Sequence, residues 1–286
     1  MGRTKYIEED IKKKVLINYL EKQMSLINSG KEFQLSQRQV ENILKEFGVK
    51  KRTYTEAKQL GRKYPCNDSY FKVQSHNMAY ILGLIASDGC VSKKENLISI
   101  QLQTKDKELL EEIKTETNNS RPINDYIRPE RNECFSTFRV WSKAWKDDLS
   151  HYGIIPEKTF KLTPPNLLMP EYYIDYIRGY FDGDGTIYFL KDTNRIFIEI
   201  VGTSKVLIDW MRDKLINNYH IFLNKEVIEH KDNGTIIYKI KIGSKEEIYK
   251  LYNLFYQNGS LYLKRKKEKF GLLLNIPRDS NSFNKE

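Results

Sequence analysis

The sequence predicts an α+β protein in which one αββαββα unit occurs twice, behind a small helical region. Three observations lead there. A short motif appears as YILGLIASDGCV at 80–91 and as YIRGYFDGDGTIYF at 176–189, with Asp88 and Asp184 in register 96 residues apart. The same order of helix-like and strand-like segments follows each copy. A proline-marked joint, LTPPNLLMP at 162–170, separates them. A spacing of about a hundred residues fits a duplicated domain rather than a solenoid repeat.

The elements can be justified in order along the chain. Residues before about 75 read as helical: roughly 7–28, then SQRQVENILKEFG at 36–48, a VKK turn, and RTYTEAKQLGRKY at 52–64. Two helices around a tight turn containing Gly, the second of them basic, match a helix-turn-helix, with Lys51 and Arg52 as candidate DNA contacts. In the first repeat LISIQLQ at 97–103 alternates apolar and polar residues, as a half-buried strand does. RIFIEIV at 195–201 is its counterpart in the second. Helices then start at 106–114 and 204–215, with Asp106 and Ser204 as expected N-caps. Strands at 135–141 and 235–243 run into helices at 142–153 and 244–259. The expected domains are therefore 1–74, 75–165 and 166–286.

Composition narrows the function. The chain has 286 residues and a net charge of +10, which favours a polyanionic partner such as nucleic acid. No apolar run reaches the roughly 18 residues of a membrane span, and the charged start MGRTKYIEED is unlike a secretory signal. Three scattered cysteines and four separated histidines fit neither a disulfide framework nor a zinc site. A cytoplasmic protein with reduced thiols is expected.

The motifs carry the chemistry. Gly83 and Ser87 are one helical turn apart, as are Gly179 and Gly183, and small residues at that spacing let helix backbones approach closely. Packed on these faces, the two helices would bring Asp88 and Asp184 together at their C-termini. Two carboxylates there repel each other and the helix dipoles, and a hard divalent cation repairs that arrangement. Simple Asp-Gly turns account less well for the small residues before them. An EF-hand loop counted from Asp182 fails, because position six is Ile187 and position twelve is Thr193.

IRGYFDGDG closely resembles the LAGLIDADG motif of homing endonucleases, and ILGLIASDG is a looser copy, the resemblance covering about 75–286. It implies two halves joined along the motif helices, with saddle-shaped antiparallel sheets lying in the DNA major groove. It implies that Asp88 and Asp184 bind divalent metal, Mg²⁺ or a similar ion, with the carbonyls of Ser87 and Gly183 as further candidate ligands. The first copy has Ala86 where the second has Asp182, so the earlier acid is expected to be structural. Basic residues late in each repeat, Lys158 and Lys266, are expected to stabilise the transition-state phosphate, with Lys264 or Lys267 as substitutes for the latter.

Strand alternation points Ser99, Gln101, Gln103, Thr137 and Arg139 outward in the first half, and Arg195, Glu199, Lys239 and Lys241 in the second. These are the candidate base and phosphate contacts. The implied function is a monomeric, site-specific endonuclease that cuts a long double-stranded DNA target during intron homing, or as a free-standing gene of that type. Neither end resembles an intein splice junction. A regulator that binds DNA without cutting it, and an RNA maturase assisting splicing, are the alternatives.

Overall fold

The computed structural model describes residues 6–54, 56–57, 62–130, 133–190 and 195–274. The chain divides into two compact units, Met1–Cys66 and Asn67–Glu286.

The first unit contains α1 (Glu9–Leu20), α2 (Leu26–Lys31) and α3 (Gln37–Glu46). The single helix expected over 7–28 is broken in two. Gln23 adopts a left-handed φ of 53°, and the Ser25 hydroxyl then caps a new helix by accepting from the Asn28 N–H at 3.1 Å. A capping box between Ser36 and Gln39 opens α3, and Val15, Val40 and Ile43 form the core the three helices share. Gly48, at φ 68°, ends α3 with Val49 N–H returning to Leu44 O at 2.8 Å. Thr53 and Glu56 then bond reciprocally, each side chain accepting from the other's backbone N–H, which is a helix-start device. Five positions of the second helix of the expected helix-turn-helix, 55 and 58–61, lie outside the described residues.

The second unit begins at Asn67, eight residues before the expected limit. The reason is local: Trp145 Nε1 donates to Asn67 O at 2.8 Å and the Phe71 ring meets Trp145 edge-on, so 67–74 packs as part of the first repeat.

Each repeat has the expected order. The first runs α4 (His76–Asp88), β1 (Gly89–Val91), β2 (Leu97–Gln103), α5 (Lys107–Glu116), β3 (Asn124–Arg128), β4 (Glu133–Trp141) and α6 (Lys143–His151). The second runs α7 (Tyr173–Asp184), β5 (Gly185–Leu190), β6 (Arg195–Gly202), α8 (Lys205–Asn217), β7 (Val227–His230), β8 (Ile236–Ile242) and α9 (Lys245–Gln257), followed by α10 (Lys264–Leu274). Both four-stranded antiparallel sheets have the same order, β1-β2-β4-β3 and β5-β6-β8-β7. That identity of topology is the physical form of the duplication.

Alternation fixes which sheet face is covered. Ile98 lies opposite Val140 and Ile100 opposite Phe138, all buried, while Ser99 pairs with Arg139 on the other face. In the second sheet Ile198 faces Ile242 and Ile200 faces Ile240, with Glu199 beside Lys241 on the opposite side. Helices α5, α6, α8 and α9 cover the apolar faces. Ser204 caps α8 as expected, accepting from Leu207 N–H. Asp106 does not cap α5, because its carboxylate is drawn instead to Arg265.

Candidate functional site

The site is built on α4 and α7, which pack against each other along their small residues. A Cβ at Gly83 would lie 2.0 Å from Tyr176 O, and one at Gly179 would lie 2.0 Å from Tyr80 O. Real atoms do not approach so closely, so only glycine allows the two backbones to touch. One turn further on, a Cβ at Gly183 would meet Ser87 Oγ at 2.1 Å. All four expected interface residues lie in this contact. The packing is reciprocal, and it carries both helices to a common end.

At that end stand Asp88 and Asp184, the last residues of α4 and α7. Both residues are exposed, yet both carboxyls have lost part of their hydration to neighbouring protein. Lost hydration, and then the neighbouring Asp184 charge, push the Asp88 carboxyl up to about 6. Asp184 is also raised by lost hydration, held back by Lys158, Lys266 and the Tyr180 hydroxyl. No group of three or more His, Cys, Asp or Glu side chains able to hold a metal occurs among the described residues. Two exposed carboxylates nonetheless fit Mg²⁺, which keeps several waters and takes few protein ligands alongside substrate phosphate.

The two lysines sit close by but have other occupations. Lys158 Nζ donates to Ala86 O and Ser87 O, both at 2.6 Å. Lys266 Nζ donates to Phe181 O at 2.6 Å, Asp182 O at 2.8 Å and Gly185 O at 2.7 Å. Each lysine thus caps the C-terminus of its own motif helix, where cations are favoured. The Ser87 carbonyl, an expected metal ligand, is taken by Lys158. Burial pulls Lys266 down to about 8 despite the opposing charge of Asp182, and burial likewise lowers Lys158. Lys264 is held by Glu108, and Lys267 lies over the Tyr262 ring at 4.0 Å.

Asp182 is fully enclosed. Its Oδ2 accepts from Tyr80 OH at 2.7 Å and from Leu263 N–H at 2.8 Å, while Oδ1 has no partner. It joins α7 to α4 and to the start of α10, which is the structural role expected of it.

Side chains on the open sheet faces are partly committed to each other. Glu199 holds Lys241 at 3.1 Å and accepts from Tyr188 OH at 2.7 Å, and Lys239 pairs with Glu229 at 2.5 Å. Arg195 lies over the Phe197 ring at 5.1 Å. Gln101 donates to Tyr126 OH. Ser99 and Arg139 are half-buried and Gln103 is exposed, whereas Thr137, opposite Gln101 on the same face, is only 5% exposed and covered despite its outward register. In the first unit Lys51 pairs with Glu41 at 2.9 Å. Arg52 Nη2 donates to Tyr19 O at 3.1 Å and its guanidinium lies over the Tyr19 ring, so it secures the fold of that unit.

Three features of the site were not read from the sequence. Arg178 is buried within α7, 3.0 Å from Asp175, and donates to Asn258 O at the end of α9 at 2.7 Å. Tyr180 touches only one of the two acids, since Leu84 holds its place in α4. Arg265 holds Asp106 through Nε, at 3.0 and 2.9 Å. The Asp175-Arg178 spacing of three on one helix was a usable signal for the first; nothing local marked the others.

A family model described as a LAGLIDADG-like domain matches residues 75–119 and 171–255, which include both motif helices. The chain carries a LAGLIDADG-like domain. A relative in Methanocaldococcus jannaschii, itself an uncharacterized protein, is 29% identical over 164 residues, 53% of this chain and 59% of that one. The match thus spans less than two thirds of that relative's length. Among solved structures, the homing endonuclease I-WcaI bound to its DNA recognition sequence is similar at a TM-score of 0.46 and 17% identity, over 70% of this chain and 90% of that one. The LAGLIDADG meganuclease I-AabMI bound to uncleaved DNA gives 0.43 and 14%, over 68% and 87%. The N-terminal LAGLIDADG domain of DUF199/WhiA gives 0.42 and 15%, over 66% and 89%.

Proposed function

We propose that this LAGLIDADG protein is a site-specific endonuclease that hydrolyses both strands of a DNA duplex. The observation that carries the reading is the pairing of Asp88 and Asp184 at the joined ends of α4 and α7. Lost hydration makes both carboxyls costly to ionise and the Asp184 charge adds to that cost at Asp88, and a fold without a cation to bind has no use for such a cost. Divalent metal, when bound, supplies charge neutralisation and a more acidic water. Asp88 and Asp184 would hold it. The reciprocal glycine contact fixes the spacing of the two acids, and the two lysine caps hold each helix end rigid around them. In the reaction a water oxygen bonds to phosphorus while the P–O3′ bond breaks. The water's proton passes to solvent and the 3′ oxygen takes one up, leaving a 5′ phosphate and a 3′ hydroxyl.

One observation favours a second reading, a DNA-binding protein that does not cut. Lys266 spends all three of its N–H donors on backbone carbonyls and Lys158 two of its three, so both ammonium groups are held by their own helices rather than turned to a phosphate.

The deciding experiment incubates the full chain with Mg²⁺ and a library of long duplexes, beside Asp184→Asn. Cleavage by the wild type that disappears in the variant supports the endonuclease. Tight, sequence-selective binding by both, with no cleavage of the bound duplexes, overturns it in favour of the binding protein.

A further inference from the structure

The two halves repeat the same backbone plan around the acid pair, yet they differ in the residue just before each helix-capping lysine. Lys158 and Lys266 are structural counterparts, because each places Nζ on the terminal carbonyls of its own motif helix. Lys158 is preceded by Glu157, and Lys266 by Arg265. One half therefore carries an anion where the other carries a cation.

Arg265 has the attributes the capping lysines lack. Its side chain is 45% exposed. Only Nε is engaged, reaching both oxygens of Asp106 at 3.0 and 2.9 Å, and no described residue accepts from Nη1 or Nη2. A guanidinium anchored at Nε presents its two terminal nitrogens as a fixed fork, the geometry that grips two phosphate oxygens. Its anchor, Asp106, is 7% exposed and belongs to the first repeat, so Arg265 reaches across from the second repeat toward the half that contains Asp88. The charge of Arg265 is felt at the Asp88 carboxyl, in keeping with that placement. Glu157, in contrast, is tied to Lys93 and Lys161, each at 3.2 Å, and its carboxylate repels a phosphate.

Resting on the endonuclease reading, we propose that Arg265 is a catalytic residue of one half-site only, gripping the scissile phosphate of one strand, so that the two strands are cut at unequal rates. Its part in the hydrolysis is to neutralise charge gathering on the phosphoryl oxygens as water attacks and the 3′ oxygen leaves. The opposite half-site, with Glu157 in this place, lacks that help.

The test uses the full chain with Mg²⁺ and a duplex the wild type binds tightly, each strand labelled separately, under single turnover. Wild type should cut one strand faster and pass through a nicked duplex. Arg265→Gln should slow one strand by about 10²-fold, leaving the other strand and the DNA affinity close to wild type. Arg265→Lys should recover part of the loss. Asp106→Asn, which keeps the arginine and loosens its anchor, should slow the same strand less. Equal slowing of both strands would assign Arg265 a structural role only, and unchanged rates on both would remove it from the site. Either result overturns the inference while leaving the endonuclease reading intact. A wild type that binds duplex and cuts neither strand overturns both.

Discussion

Gly83 lies against the carbonyl oxygen of Tyr176, in a contact that α4 and α7 repeat in mirror fashion at Gly179 and Tyr80. Neither position has room for a methyl group. Gly83→Ala or Gly179→Ala should destabilise the second unit by about 1–3 kcal/mol or more, since overpacking must push backbone away from backbone. All three tryptophans, Trp141, Trp145 and Trp210, lie in that unit, so urea unfolding followed by their fluorescence reads it directly. An unchanged midpoint in both variants would mean the helices are not so closely joined.

The acid pair costs the fold stability as pH rises. Asp88 is raised to about 6 in the folded protein, so the stability it contributes is held below its unfolded value of about 3.9 and lost as pH rises through about 6. Asp88→Asn should therefore melt higher than wild type at about pH 8 without divalent ions, the two converging toward about pH 4. Asp184→Asn should behave likewise, because its carboxyl is raised for the same reason. Added Mg²⁺ should lift the wild-type melting temperature and leave both variants nearly unmoved. A Mg²⁺ shift that survives in both would place the cation elsewhere.

Lys266 is a buried cap whose removal should be costly. Lys266→Met strands the carbonyls of Phe181, Asp182 and Gly185 and leaves Asp182 without its nearest cation. A loss of about 3–5 kcal/mol is expected from breaking one side of such an arrangement. The wild-type pH dependence carries a second mark. A lysine depressed to about 8 contributes stability that is present above its unfolded value near 10.4 and lost as pH falls through about 8. Chemical denaturation of wild type and variant from about pH 7 to about pH 10 should show a gap that widens with pH.

Much of this architecture was legible because two strong local signals coincide. Ile98, Ile100 and Leu102, and later Ile196, Ile198 and Ile200, alternate cleanly, and all six are buried as that period requires. The small residues Gly83, Ser87, Gly179 and Gly183 announced the helix pairing before any coordinates did. What stayed hidden depends on long-range partners. Asp106 has the form of an N-cap, yet Arg265, 159 residues away, takes its carboxylate. Resemblance to the family's late basic segments picks out Lys158 and Lys266, but nothing local reveals that their ammonium groups turn onto helix carbonyls. Thr137 sits on the alternating face expected to be open and is covered all the same.

Arg52, a candidate DNA contact by its place in a basic run, is engaged within its own unit. Its guanidinium bonds the carbonyls of Tyr19 and Met24 and stacks on the Tyr19 ring. Arg52→Ala should lower the stability of the first unit by about 1–3 kcal/mol through the buried carbonyls it leaves. Its effect on the salt dependence of DNA binding should be small, since a phosphate contact would change that slope by about one unit. A filter-binding salt titration of the two proteins separates the outcomes.

Asp182 and Asp184 stand two residues apart, the first enclosed and the second exposed. Asp182 accepts from Tyr80 OH and Leu263 N–H through Oδ2 alone. In Asp182→Asn the amide oxygen can keep both bonds, and the new NH₂ occupies the place of Oδ1, which has no partner in the wild type. The variant should remain folded at a cost of about 1–2 kcal/mol, with its Mg²⁺-dependent melting shift and its cleavage retained. Asp182→Ala breaks both bonds, stranding a buried hydroxyl and a backbone N–H at about 1–3 kcal/mol each, and should still bind Mg²⁺ when it folds. Asp184→Asn should lose the cation shift and cleavage while melting no lower than wild type. Thermal melts with and without Mg²⁺ on all three variants, beside strand cleavage, decide the matter. A lost cation shift in Asp182→Asn would make the buried acid a partner in the site and end the distinction between the two.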